Sequence, residues 1–180
     1  MWDNLIKIFI EKNNQLNLSA IRDVEIKIKH INDSIELNKI FQIEKKTVCD
    51  IGTGGFPLLP LAIINPNVNF IIDARRKKVD AVNDMIKNLL KNVVCKRSRI
   101  EEYGEKFDFV TARAVAYIDK LIPRSYNLLK KYFVFYKQYQ QAEHEELKKI
   151  CKKYKLNIKE KHKYFLFADI ERVIYIVEKI

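Results

Sequence analysis

Three of the chain's four glycines fall inside Gly52-Thr53-Gly54-Gly55. A chain this poor in glycine keeps it where a side chain cannot be tolerated, because glycine reaches positive φ freely and lets backbone lie close to a ligand. Before the cluster, Thr47-Val48-Cys49-Asp50-Ile51 reads as a short buried strand. After it, Pro57 through Ile64 reads as a helix, with proline suited to its first position. Strand, glycine turn and helix form the entrance to a nucleotide-type cofactor site; a tight turn with no ligand is the plain alternative. Two common versions of that entrance are excluded. No Gly-Lys-Ser/Thr closes the turn, so it is not a P-loop. The third small residue of a dinucleotide fingerprint would fall at Pro57.

What remains is Asp50, two places before Gly52. This Asp-x-Gly-x-Gly arrangement resembles the first motif of S-adenosylmethionine (SAM)-dependent methyltransferases. The resemblance implies that the glycine backbone lies against the methionine part of SAM and that Asp50 sits near its ammonium. A second acid, Asp73, ends the strand-like Asn69-Phe70-Ile71-Ile72-Asp73, 23 residues beyond Asp50. That is close to the roughly 20 expected for the acid that binds ribose hydroxyls in nucleotide-binding βαβ units. A carboxylate there can accept two hydrogen bonds from a cis-diol. The alternative is a helix N-cap, for which Asp is also preferred.

The 180 residues, 48% of them hydrophobic, suit a single ordered domain with a real core. Apolar runs stay below 18 residues and the N-terminus lacks a signal-peptide pattern, so neither a membrane span nor export is expected. Cys49, Cys95 and Cys151 are scattered without metal-ligand spacing, as are His30, His144 and His162. This fits a reducing cytoplasm and no metal site. The net charge of +11 is uneven. Residues 75–99 hold nine Lys/Arg against Asp80 and Asp84, whereas residues 1–46 hold eight basic and seven acidic groups. Such a concentration suits a polyanion such as RNA, with a lysine-rich solvated surface as the alternative.

Trp2, Leu5, Ile6, Phe9 and Ile10 mark an amphipathic helix, and further helix is expected from about Asp23 to Phe41. From Thr47 onward, strand-like runs at 47–51, 69–73, 93–96, 107–112, 132–137, 162–168 and 172–178 alternate with helical stretches. Alternation of this kind predicts a parallel sheet with helices on both faces. Only a few residues separate the last two runs, so they should pair antiparallel. The expected fold is α/β: a Rossmann-like SAM-dependent methyltransferase with a seven-stranded, mostly parallel sheet and an antiparallel last strand. Residues 1–46 would form a helical cap and 47–180 the SAM-binding core.

Several segments in order resemble one family, ribosomal RNA small subunit methyltransferase G, also called glucose-inhibited division protein B. Asn17-Leu18-Ser19-Ala20-Ile21-Arg22-Asp23 resembles its Asn-Leu-Thr-Ala-Ile-Arg-Asp, and Lys29-His30-Ile31-Asn32-Asp33-Ser34 its Lys-His-x-x-Asp-Ser. The glycine turn with Phe56-Pro57, Asp73 through Val79, Arg99-Ile100-Glu101-Glu102, Thr111-Ala112-Arg113-Ala114 and Lys137 follow at matching places. The turn is one residue shorter than the family's, and the family's glycines after Pro57 and Lys137 are here Leu58 and Gln138.

The resemblance implies a monomeric, cytoplasmic enzyme that uses SAM to methylate N7 of a guanosine in 16S ribosomal RNA, free or in the small ribosomal subunit. It implies a cofactor site of Asp50, Gly52, Thr53, Gly54, Gly55, Phe56, Asp73, Ile100, Glu101 and Arg113. It places Arg99, Arg113 and Lys137 on the RNA-facing side, with Asn17 and His30 contributed by the cap. Guanine N7 carries a lone pair and no hydrogen, so its attack needs no general base, in keeping with a chain that shows no nucleophile–base motif. Other readings of these residues stay open. Lys137 could be a snorkelling strand-end lysine, Arg113 could pair with Asp33, and His30 could be an ordinary helix residue. A different methyl acceptor, protein or small molecule, and a catalytically inactive RNA-binding module are the competing functions.

Overall fold

The computed structural model describes every residue except 19–24, 26, 45, 53, 74–75, 88, 97–99, 114–115 and 167–169; for 27–28, 71–73, 76–78 and 101 it describes the main chain alone. The chain opens with α1 (Trp2–Leu16), whose apolar stripe buries Leu5 and Phe9. A π-helical stretch (Lys27–Asn32) runs into the short helices α2 (Asp33–Ile35) and α3 (Leu37–Ile40). Then come β1 (Thr47–Ile51), α4 (Leu58–Ile64), β2 (Asn69–Asp73), α5 (Arg76–Ile86), β3 (Val93–Lys96) and β4 (Phe107–Arg113). The remainder is α6 (Ile118–Ser125), β5 (Leu129–Gln138), α7 (Gln141–Tyr154), β6 (Leu156–Phe165) and β7 (Glu171–Lys179).

The strands form one sheet in the order β3-β2-β1-β4-β5-β7-β6. β1 through β5 are parallel; β7 runs antiparallel to both β5 and β6. Helical crossovers cover both faces, so β1 and β4 are largely buried and their residues alternate between two cores. Val48, Phe109, Val134 and Tyr136 pack under α1, α4 and α5. Cys49, Ile51, Val110, Phe133 and Phe135 face α6 and α7. Burial pushes the Cys151 thiol up to about 11, so this helix cysteine serves as packing rather than as a nucleophile.

The first three strands have the bounds expected from sequence. The last three begin earlier, mostly through polar residues, while β6 ends at Phe165, short of the expected 168, with 167–169 outside the described residues. β5 begins at Leu129 through Lys130 and Lys131. β6 begins at Leu156, well before the expected 162, because an edge strand carrying Lys159, Glu160 and Lys161 shows no apolar alternation.

Candidate active site

The order of strands reverses at β1. The chain moves outward to β2 and β3, then returns to lay β4 on the other side of β1. Ligands of open α/β sheets bind in the crevice outside the strand ends at such a switch point. Register sets Ile51 beside both Asp73 and Ala112, so the ends of β1, β2 and β4 share one edge. The glycine turn leaves β1 at that edge.

Gly52 and Gly55 adopt φ of 67° and 107°. At Gly55 an added Cβ would also lie 2.7 Å from Leu59 Cδ1. The shortened turn therefore presses directly on α4, whose Leu59 N–H donates to Gly55 O at 2.8 Å. Pro57 caps that helix and Pro60 lies in its first turn, where missing N–H donors cost little. Beneath the turn Asp50 is fully buried and accepts a hydrogen bond from the Thr111 hydroxyl. This bond ties β1 to β4 under the crevice and keeps a carboxylate there.

The cap meets the sheet at Asp33, whose side chain is 2% exposed. Arg113, at the end of β4, donates to Asp33 Oδ2 at 3.0 Å and to Lys29 O at 3.2 Å. Arg172, at the start of β7, donates through Nε and Nη2 to the two Asp33 oxygens at 3.1 and 3.2 Å. The Tyr164 hydroxyl donates to Asp33 Oδ1. Burial works against charge on both arginines. For Arg172 the neighbouring carboxylate outweighs burial and holds it above its ordinary value; for the more deeply buried Arg113 burial prevails. The pairing of Arg113 with Asp33, one of the roles left open for it, is present in the structure.

His30 completes the group. Its Nδ1 faces an Arg113 Nη2 that can only donate, so Nδ1 accepts and the ring is neutral, with its proton on Nε2. Burial first, then the Arg113 charge, lower its pKa to about 3. The ring stacks on Phe56 at 4.4 Å, and Phe9 meets both rings edge-on. Phe56 is thus enclosed by the cap with the Arg113 guanidinium 5.7 Å from its ring, which leaves its main chain as the part facing the turn.

Lys137 donates to Ala116 O at 2.7 Å and lies 2.8 Å from a Glu143 carboxylate oxygen. It fastens the segment after β4 to the start of α7. A cavity of about 330 Å³ opens beside it, lined by Tyr117, Asp119, Gln140 and Glu143. Asn17 has a local explanation: it is the C-cap of α1, with φ 49° and its N–H on Asn13 O, a left-handed position that asparagine tolerates. Ile100 packs on the core under α6. Thr53 and Arg99 lie outside the described residues, as do the side chains of Asp73 and Glu101. Arg172 and Tyr164 carried no signal in the sequence; they join the site only through the β6–β7 hairpin. Among the described residues no group of His, Cys, Asp or Glu could hold a metal ion, and no helix is long and apolar enough to cross a membrane.

A family model described as rRNA small subunit methyltransferase G matches residues 2–171. Ribosomal RNA small subunit methyltransferase G of Lysinibacillus sphaericus is 35% identical over 97% of this chain and 79% of its own length. The protein of the same name from Desulfitobacterium hafniense is 38% identical over 94% and 76%. Among solved structures, magnesium protoporphyrin IX methyltransferase from Synechocystis with bound SAM superposes with a TM-score of 0.70 at 13% identity, covering 98% of this chain and 97% of that one. Ribosomal protein L11 methylase from Lactobacillus delbrueckii gives 0.67 at 14% identity, covering 91% and 83%. At such identities the structures establish the fold alone.

Proposed function

Since the chain belongs to the rRNA small subunit methyltransferase G family, we propose that it methylates N7 of a guanosine in 16S ribosomal RNA, with SAM as methyl donor. Membership makes it a SAM-dependent rRNA methyltransferase; the target atom and the part played by each residue are the proposal. The observation that supports it most is the glycine turn at the switch point, with buried Asp50 held by Thr111 beneath it. Residues 47–180 carry this site, residues 1–46 cap it, and the enzyme works as a monomer.

Bound there, SAM supplies a sulfonium-activated methyl group. The residues that would hold SAM are Gly52 to Phe56, whose main chain would receive its amino-acid portion, Asp50, which would supply negative charge, Asp73, which would accept from the ribose hydroxyls, and Ile100 and Glu101. Guanine N7 needs no deprotonation, so the protein's task is placement. A neutral His30 with a pKa of about 3 is no acid–base catalyst near neutral pH, in keeping with that chemistry. Arg113 has five N–H donors, more than its three bonds to the cap use, and is 10% exposed. It donates to guanine O6 and leaves N7 open. Lys137, Arg99 and Asn17 line the RNA side, and the buried His30 contributes from beneath by holding Arg113.

The decisive experiment maps 7-methylguanosine in 16S RNA after incubating unmodified small subunits with purified protein and SAM. RNA methylated elsewhere, or not at all, removes the reading. Asp73→Ala is expected to weaken SAM binding by about 1.5–3 kcal/mol, the range for hydrogen bonds to a charged group. Calorimetry giving equal affinities would take the ribose from Asp73. Single-turnover rates at saturating RNA should be nearly flat between about pH 7 and 9, where N7 and the arginines keep their protonation states. A bell-shaped profile would require a titrating catalyst that the reading lacks.

A further inference from the structure

β6 runs antiparallel to β7, which runs antiparallel to β5, so β6 points the same way as β5. It is the outermost strand, and it ends at the crevice edge of the sheet with Phe165 66% exposed. Residues 141–165, which make up α7 and β6, carry eight lysines and four glutamates. Between the two elements lies a groove of about 370 Å³, lined by Lys148, Lys149, Lys152 and Asn157 among others. Nearer the crevice, Lys161 and Lys163 stand 4.8 and 3.4 Å from the Tyr139 ring centre. Ten residues of strand span about 33 Å, so the basic track is several nucleotides long.

Lysines on an edge strand also keep other chains from pairing with it. That accounts for Lys159, Lys161 and Lys163 but not for Lys148, Lys149 and Lys152 across the groove on α7. The glutamate partners of Lys148, Lys149 and Lys163 are exposed pairs of little strength, which phosphates can replace.

We propose that the α7–β6 groove binds the phosphate backbone of the RNA strand leaving the acceptor crevice, with Phe165 as a stacking platform for an unpaired base. The proposal rests on the rRNA reading above. It adds a second grip at the sheet edge opposite β3, away from the basic residues 75–99.

The test measures affinity of a 16S rRNA fragment against salt, together with methyl-transfer KM and rate. Lys152→Gln/Lys161→Gln/Lys163→Gln is expected to lower the slope of log K against log salt by about 2, since each lost single-strand phosphate contact removes about 0.7. KM for RNA should rise on the order of tenfold, with the rate at saturating RNA and the calorimetric SAM affinity kept. Phe165→Ala should weaken RNA binding about tenfold with no change in slope. Lys12→Gln, on α1 across the sheet, should change neither. A triple variant with wild-type slope and KM, beside an active wild type, overturns the groove and leaves the function standing. A wild type that methylates no RNA overturns both. Loss of slope in Lys12→Gln as well would reduce the effect to net charge and overturn the groove.

Discussion

Replacing Asp33 by alanine is expected to destabilise the protein by about 3–5 kcal/mol, the range for removing one partner of a buried ion pair. An exposed pair would be worth at most about 1 kcal/mol. Burial decides between these ranges: Asp33 is 2% exposed, and its arginine partners are 10% and 16% exposed. Without the carboxylate, two guanidinium groups face each other with water largely excluded. The bonds to Arg113, Arg172 and Tyr164 join the cap to β4, β7 and β6, so the loss falls on the docking of residues 27–37. Tyr164→Phe removes one hydrogen bond to the carboxylate and should cost less, about 1.5–3 kcal/mol. Urea titrations would separate the two. An Asp33→Ala midpoint shift worth under about 1 kcal/mol at unchanged slope would mean that the pair does not hold the cap. Arg113→Lys keeps the charge but loses the fork shared among Asp33, His30 and the Lys29 carbonyl, so it should resemble Arg113→Ala.

Acidification should unfold the protein earlier than its carboxylates alone require. His30 holds its proton with a pKa of about 3 in the folded state and about 6.5 when unfolded. Between those values the unfolded chain binds more protons. The contribution is therefore complete above about pH 6.5 and is lost as pH falls toward 3, by up to about 1.4 kcal/mol per pH unit. His144, also lowered chiefly by burial, acts with the same sign, so the measurement is a comparison. His30→Asn keeps an acceptor near the Nδ1 position but cannot take up the proton. It should flatten the stability–pH curve between about pH 6.5 and 4.5 relative to wild type, whatever its absolute stability. Parallel curves for the two proteins would place the proton uptake elsewhere.

The glycine turn, the strands at 47–51, 69–73 and 93–96 and the antiparallel final hairpin were legible in the sequence. Each is specified locally: glycine where φ must be positive, apolar runs where a strand is covered on both faces, and a connection too short for a parallel crossover. β6 and α7 were less legible because they are largely solvated. Edge lysines suppress the period-two signal, and α7 turns only His144, Leu147, Ile150 and Cys151 inward. The Lys-His-x-x-Asp-Ser segment could be matched to a family but not explained from sequence. Its Asp33 finds partners 80, 131 and 139 residues away, and no local pattern records contacts that exist only once the hairpin has closed on the cap. The cofactor turn was thus determined by sequence, because a few adjacent dihedral angles define it. The company of Arg113 was decided by tertiary structure, because desolvation chooses among its possible partners and only the packed cap and sheet supply it.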